Sequence, residues 1–370
     1  MNKLTSRERF VRCMTFQPVD RCYLKEDGFA PATIKRWENE GLPKGCNPNE
    51  YFGMDMREFV RVNMGCYPGF EEQILEDDGV HIVKINSEGT KIKQRKADAL
   101  DAMPQFLEWP IKCRADFERM REQYQYNVKE RYPANYEDKK DFWNNSCELP
   151  VAYELRGMFF HRLHMWMGLE GLSMAMFDDP KFIHEMVEFL EDFLIKVSEK
   201  VLSEIKIDYV YACDDIAFKT SSLISPAHFK EFMFKPTQRV IKKVKEAGVP
   251  VIVMDTDGNL DEFAQIYVDA GFNAICPIEV AAGNDLLELR KRFGKKLALQ
   301  GGFDKRILAF KSKEEIRAEV MRLFPPLMVE GGFTPTTDHA VPENVSFENY
   351  SYYMELTKKI AEDPHQYLKK

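Results

Sequence analysis

The sequence predicts an α/β fold, a (β/α)8 TIM barrel with an elaborated N-terminal region that contains a β-hairpin. Three observations predict it. From about residue 175 onward, short apolar runs alternate with longer amphipathic runs, giving five consecutive strand-plus-helix units. The short runs are apolar on both faces, as parallel strands covered by helices require. No Gly-rich dinucleotide loop follows any of them, which argues against a doubly wound sheet. All 370 residues are read as one domain, with 1–150 packed on the barrel as an elaboration.

In chain order, Ser6 to Met14 predicts a short helix, and Pro31 to Gly41 another, broken by Gly41 and Pro43. Val80 to Ile85, the turn Ser87-Glu88-Gly89 and Thr90 to Gln94 predict the hairpin, because His81, Val83 and Ile85 alternate. Lys129 to Asn145 is polar and aperiodic, a loop or short helix. Asp179-Pro180 places a cap before a first-turn proline, opening a helix to about Leu202. A strand follows at Asp208 to Ala212, then a helix from Ser225-Pro226 to near Gly248. Next come a strand at Pro250 to Met254 and a helix from about Leu260 to Ala270. Asn273 to Pro277 and Lys296 to Leu299 predict strands, with a helix from about Asn284 to Phe293 between them. Ser312 with Glu315 forms a capping-box signal for a helix to about Met328. Gly331 to Thr334 then leads to Asp338-His339, and Ser346 opens a terminal helix to about Ala361.

Composition narrows the function. With 44% hydrophobic and 30% charged residues, the chain can bury a large core. Its formal charge of -8 disfavours a general nucleic-acid binder, since phosphate affinity needs concentrated positive charge. The eight cysteines include no C-x-x-C pair, so no zinc knuckle or iron–sulfur run is expected, and isolated reduced thiols fit a cytoplasmic protein. No 18-residue apolar run exists, and Met1 to Val11 lacks a signal-peptide core, so no membrane association is expected.

Polar residues gather just after the apolar runs: Asp214, Asp215, Asp255, Asp257, Glu279, Gln300, Asp304, Asp338 and His339. In a barrel all of them fall at the carboxyl-end rim, where barrel chemistry is carried. Asp214, Asp215, Asp257 and His339 are the candidate catalytic residues. Asp255-x-Asp257 points two carboxylates the same way along an extended segment. With Glu279 and His339 they could form an oxygen-rich metal site with one imidazole, for zinc or a harder divalent ion. A metal-free acid/base role and simple capping of the next helix are the competing readings. Substrate contacts are expected from Arg156, as a fork for a carboxylate, and from Gln300 and Asp338. Gly301-Gly302 is expected to let the backbone approach a ligand. His161 and His164 share a helical face within Met158 to Met167, read as packing on the barrel or a lid.

Several segments together resemble the uroporphyrinogen decarboxylase superfamily. They are Met167-Gly168-Leu169-Glu170 with Asp178-Asp179-Pro180, and Asp214-Asp215 with Leu223-Ile224-Ser225-Pro226 and Phe229 to Phe232. Asp257-Gly258-Asn259-Leu260, Pro277-Ile278-Glu279, Gly301-Gly302-Phe303-Asp304 and Asp338-His339-Ala340-Val341-Pro342-Glu343-Asn344 follow in the family's order. The opening Arg7 to Arg21, with Phe16-Gln17-Pro18-Val19-Asp20-Arg21, is similar to both branches of the family. The resemblance implies a (β/α)8 barrel and either decarboxylation of a porphyrinogen or other carboxylated substrate, or methyl transfer in the corrinoid-dependent branch. It puts His339 at the family's C-terminal active-site histidine. In the zinc-dependent methyltransferases a His-x-Cys pair falls at Asp255 and Asp257, and a distant Cys near His339, so this chain departs at each thiolate. What the resemblance implies is a methyltransferase-type one-carbon enzyme. It would act with a corrinoid-binding partner or small methyl donor on a small-molecule substrate, often as a homodimer. Decarboxylase and non-catalytic ligand-binding readings stand as alternatives.

Overall fold

The structure is a computed structural model that describes residues 3–96 and 103–368. Seven parallel strands form one sheet: β1 (Glu58–Val60), β6 (Val151–Leu155), β7 (Tyr209–Cys213), β8 (Val251–Asp255), β9 (Ala274–Cys276), β10 (Ala298–Gln300) and β11 (Phe333–Thr334). Their spatial order follows chain order, β1-β6-β7-β8-β9-β10-β11. A doubly wound sheet reverses its order at a switch point, and this one does not. The segment around Leu24 is tied on one side to β11 and on the other to the residues leading into β1. Cys22 Sγ donates to the Phe333 carbonyl at 3.3 Å, and the Asp55 N–H donates to the Leu24 carbonyl at 2.7 Å.

The strands are apolar on both faces because helices cover the outside. β6 is buried along its whole length, and β7 and β8 nearly so. Helix Pro180–Glu204 starts where the sequence predicts, with the Asp179 carboxylate accepting the Phe182 N–H. Ser312 and Glu315 form the expected capping box for helix Lys313–Glu330. The helix expected from Ser225 to near Gly248 is instead two, Pro226–Phe232 and Phe234–Glu246, parted at Met233. β1 and β6 were not legible as strands: three residues of β1 give no period, and β6 sits in an irregular stretch.

The hairpin is the centre of a larger antiparallel sheet, ordered β2 (Gln73–Asp77), β3 (His81–Ile85), β4 (Lys91–Arg95) and β5 (Gln105–Glu108). Lys129 to Asn145 holds short helical turns, among them Tyr136–Asp141. Helix Phe159–Asp178 follows β6 and is interrupted at Gly168, whose φ is +71°. A side chain there would meet the Trp109 ring at 2.7 Å, so only glycine fits. Among the described residues, no helix is long and apolar enough to cross a membrane.

Candidate active site

β7 and β8 pair with Cys213 opposite Asp255, so both strands end at the same level of the mouth. The residues beyond them diverge in role. Asp214 is buried, and its Oδ1 accepts the His161 N–H at 2.7 Å, tying the first turn of helix Phe159–Asp178 to the end of β7. Burial pushes its carboxyl up to about 8 although backbone donors pull the other way. As a buried carboxyl group it anchors the start of that helix.

Asp215 faces the mouth and accepts the Asp257 N–H at 3.3 Å. Burial and the neighbouring Asp257 charge raise its carboxyl. Asp255 points into the barrel, where Cys276 Sγ lies 3.6 Å from its Oδ1. Burial first, then Asp215, Asp257 and Asp27, push it up to about 7. His339 Nε2 stands 3.2 Å from Asp257 Oδ1. The hydrogen bond to Asp257 raises the imidazole against an opposing burial effect. His339 Nδ1 is buried without a partner.

Most of the other expected residues make contacts within the fold. Glu279 accepts the Gly258 N–H at 3.1 Å. Asp338, buried, accepts the Val280 and Lys305 N–H groups at 3.2 Å each, bracing two loops. Gln300 is buried, with its Nε2 against Met14 Sδ. Gly301 and Gly302 do not offer their N–H groups to a ligand: these donate to the Thr334 and Pro277 carbonyls. Both sit at positive φ, and a Cβ on Gly301 would lie 1.9 Å from the Pro277 oxygen. Arg156 is exposed at the rim and pairs with Glu154 at 3.1 Å. It lines, with Arg61, Asn63 and Arg162, an open cavity of 580 Å³.

Asp255, Asp257, Glu279 and His339 do not converge as one ligand set. Among the described residues the group that brings three donor atoms within 4.8 Å of one another is His161, Cys213 and Asp215. His161, expected to pack on the barrel or a lid, instead turns its Nδ1 to within 3.8 Å of Asp215 Oδ2. Burial, with Arg162 and His164 nearby, lowers its imidazole to about 4. Cys213 and Asp215 are two apart at a strand end and therefore share a side, a signal present in the sequence. His161 showed only the helical face it shares with His164, because its approach to β7 depends on how another element packs.

Sequence reasoning also missed the charged group at the centre of the barrel. Lys25 is buried and ion-paired with Asp27, which Arg57 approaches at 3.5 Å. Burial disfavours the Asp27 carboxylate, but the two cations outweigh it and hold it low. Tyr211 lies nearby, its hydroxyl 3.3 Å from Cys276 Sγ.

The family model for uroporphyrinogen decarboxylase (URO-D) matches residues 161–360. The uroporphyrinogen decarboxylase of Neisseria meningitidis serogroup C is 31% identical over 150 residues, which is 39% of this chain and 40% of that protein. That of Legionella pneumophila strain Lens is 27% identical over 148 residues, with the same coverage. The matched part thus spans 40% of the length of these curated relatives. Among solved structures, a methyltransferase from Methanosarcina mazei superposes with a TM-score of 0.63 at 14% identity, covering 97% of this chain and 99% of that one. At that identity the likeness is one of fold.

Proposed function

Because the chain belongs to the uroporphyrinogen decarboxylase family, we propose that it is a methyltransferase-type one-carbon enzyme that passes a methyl group from a small substrate to a corrinoid carried by a partner protein. One observation carries this reading: the Asp257–His339 pair stands at the mouth beside Asp215. The pair holds a proton where a leaving heteroatom can take it up. Asp257 is 50% exposed, so the pair is accessible to a substrate.

In the proposed step the bond from the methyl carbon to the substrate heteroatom breaks, and its electron pair stays on the heteroatom. The methyl carbon bonds to the nucleophilic acceptor, which the corrinoid supplies as co-substrate. The departing heteroatom takes the proton from the Asp257–His339 pair. Asp215 and Asp255 surround the centre with carboxylates, which favours a neutral or cationic substrate group there over a cluster of anions.

A second reading, decarboxylation of a carboxylated substrate, has a specific observation in its favour. Arg61 and Arg156 are 65% and 68% exposed beside the open cavity and could each hold a carboxylate. The two readings separate in one assay. The full chain is incubated with a reduced corrinoid protein and small O- or N-methyl compounds, and in parallel with carboxylated substrates such as a porphyrinogen, and the corrinoid spectrum and carbon dioxide release are followed. Methylation that is lost in His339→Ala supports methyl transfer. Substrate-dependent release of carbon dioxide without methylation overturns it in favour of decarboxylation.

A further inference from the structure

We propose that His161, Cys213 and Asp215 form a mononuclear site for a zinc-type divalent metal ion, with one coordination position open toward the barrel mouth. The site lies one strand away from the Asp255-x-Asp257 segment. It goes beyond the methyl-transfer reading and does not depend on it, because metal binding is read without turnover.

The geometry is built from two elements. β7 ends in Cys213, and Asp215 follows on the same side, while His161 comes from the first turn of helix Phe159–Asp178. Asp215 Oδ2 is the shared vertex: it lies 3.8 Å from His161 Nδ1 and 3.8 Å from Cys213 Sγ. All three donor atoms fall within 4.8 Å of one another. Bond lengths of tetrahedral zinc to nitrogen, oxygen and sulfur give donor-to-donor edges of roughly 3.4 to 3.6 Å. The two edges to Asp215 therefore exceed those of a loaded site by a few tenths of an ångström, and the third, within 4.8 Å, closes by side-chain rotation.

Each donor is held in place by the fold. The other Asp215 oxygen accepts the Asp257 N–H at 3.3 Å, which fixes the carboxylate plane. The His161 N–H is held by Asp214 at 2.7 Å. The Cys213 carbonyl accepts the Met158 N–H at 2.9 Å, locking the strand end to the helix start. One sulfur, one nitrogen and one oxygen donor suit zinc and its neighbours in the first transition row, whereas calcium and magnesium want oxygen alone. Three protein ligands leave the fourth position for solvent or substrate, the pattern of a catalytic site. His161 and Asp215 are 34% and 42% exposed, so an ion can reach them from the mouth.

The test is titration of the chelator-stripped full chain with cobalt(II), read as thiolate-to-cobalt charge-transfer absorption. We expect the band to saturate at one equivalent and to be displaced by zinc. Cys213→Ser should abolish it, and Asp257→Ala, which keeps its backbone N–H, should retain it. Absence of the band in the parent chain overturns the proposal. So does a band that survives Cys213→Ser, which would put cobalt on another thiol such as the exposed Cys113 beside Asp116. His161→Gln changes a half-exposed side chain and keeps the test decisive if the cysteine variant does not fold. It should weaken cobalt binding by at least about tenfold, and unchanged affinity overturns the site.

Discussion

Asp257 and His339 come from the ends of two different strands and meet at 3.2 Å, Oδ1 to Nε2, at the mouth of the barrel. The hydrogen bond raises the imidazole, so its proton is held to a higher pH than a lone histidine would hold it. Replacing Asp257 with Asn removes that charge. We expect kcat for methyl transfer to fall by about 100- to 10,000-fold. The remaining activity should also be lost at a lower pH than in the parent, because the acid form of His339 titrates away sooner. A pH profile of kcat checks this, and an unshifted alkaline limb would remove His339 from the proton path.

Asp255 gives a stability prediction with a defined sign. Its folded carboxyl is raised from 3.8 to about 7. A raised carboxyl contributes stability that is fully present below its unfolded value and lost as pH rises through the folded value. Asp255→Asn has no such loss. The variant should therefore gain in Tm relative to the parent between about pH 4 and pH 8, as followed by circular dichroism. A gap that stays constant across that range counts against the burial argument.

Gly301→Ala tests whether the Gly-Gly pair is structural. The added methyl would stand 1.9 Å from the Pro277 oxygen, and that neighbour is backbone that cannot swing aside. The glycine also sits at a φ of +97°. We expect destabilisation of at least about 2 kcal/mol, measured by urea unfolding. A stable variant impaired only in substrate binding would restore the ligand-binding role expected of this turn.

The second half of the fold was legible because each unit carries its own punctuation. Asp179-Pro180, Ser225-Pro226 and Ser312 with Glu315 are local cap signals, and all three open helices. The short parallel strands read as apolar runs because helices cover them. β1 was not readable, since three residues cannot show a period, and its place beside β6 is purely tertiary. The same distinction runs through the site. Asp215, Asp257 and His339 were found at strand ends because barrel topology alone gathers them. Asp214 and Asp338 looked equivalent in sequence, but their side chains turn inward to hold loop and helix N–H groups. Lys25, Asp27 and Arg57 were invisible because each arrives from an element whose position depends on packing, and for the same reason His161 reads in sequence as packing and not as facing Asp215.

The N-terminal elaboration is pinned by a buried charge network, which gives the last prediction. Arg9 is 5% exposed, binds Asp20 and Asp55 at 2.8 Å each, and leaves Asp55 to be shared with Arg21 at 2.6 Å. Burial alone would raise Asp20, but the Arg9 guanidinium and the Leu4 and Arg21 N–H groups outweigh it. They hold the carboxyl well below the usual carboxylate range. A depressed carboxyl contributes stability present above its unfolded value of 3.8 and lost as pH falls through the folded value. Asp20→Asn should thus be less stable than the parent at neutral pH, with the gap narrowing progressively below 3.8. Arg9→Met leaves Asp20 without its cation and Asp55 with Arg21 alone, and should cost about 3 kcal/mol. Combining it with Asp20→Asn should recover part of that loss, because one uncompensated charge is then gone. Urea unfolding of the two single variants and the double variant measures the coupling. Strict additivity would mean that Arg9 acts by packing its chain and not by neutralising Asp20.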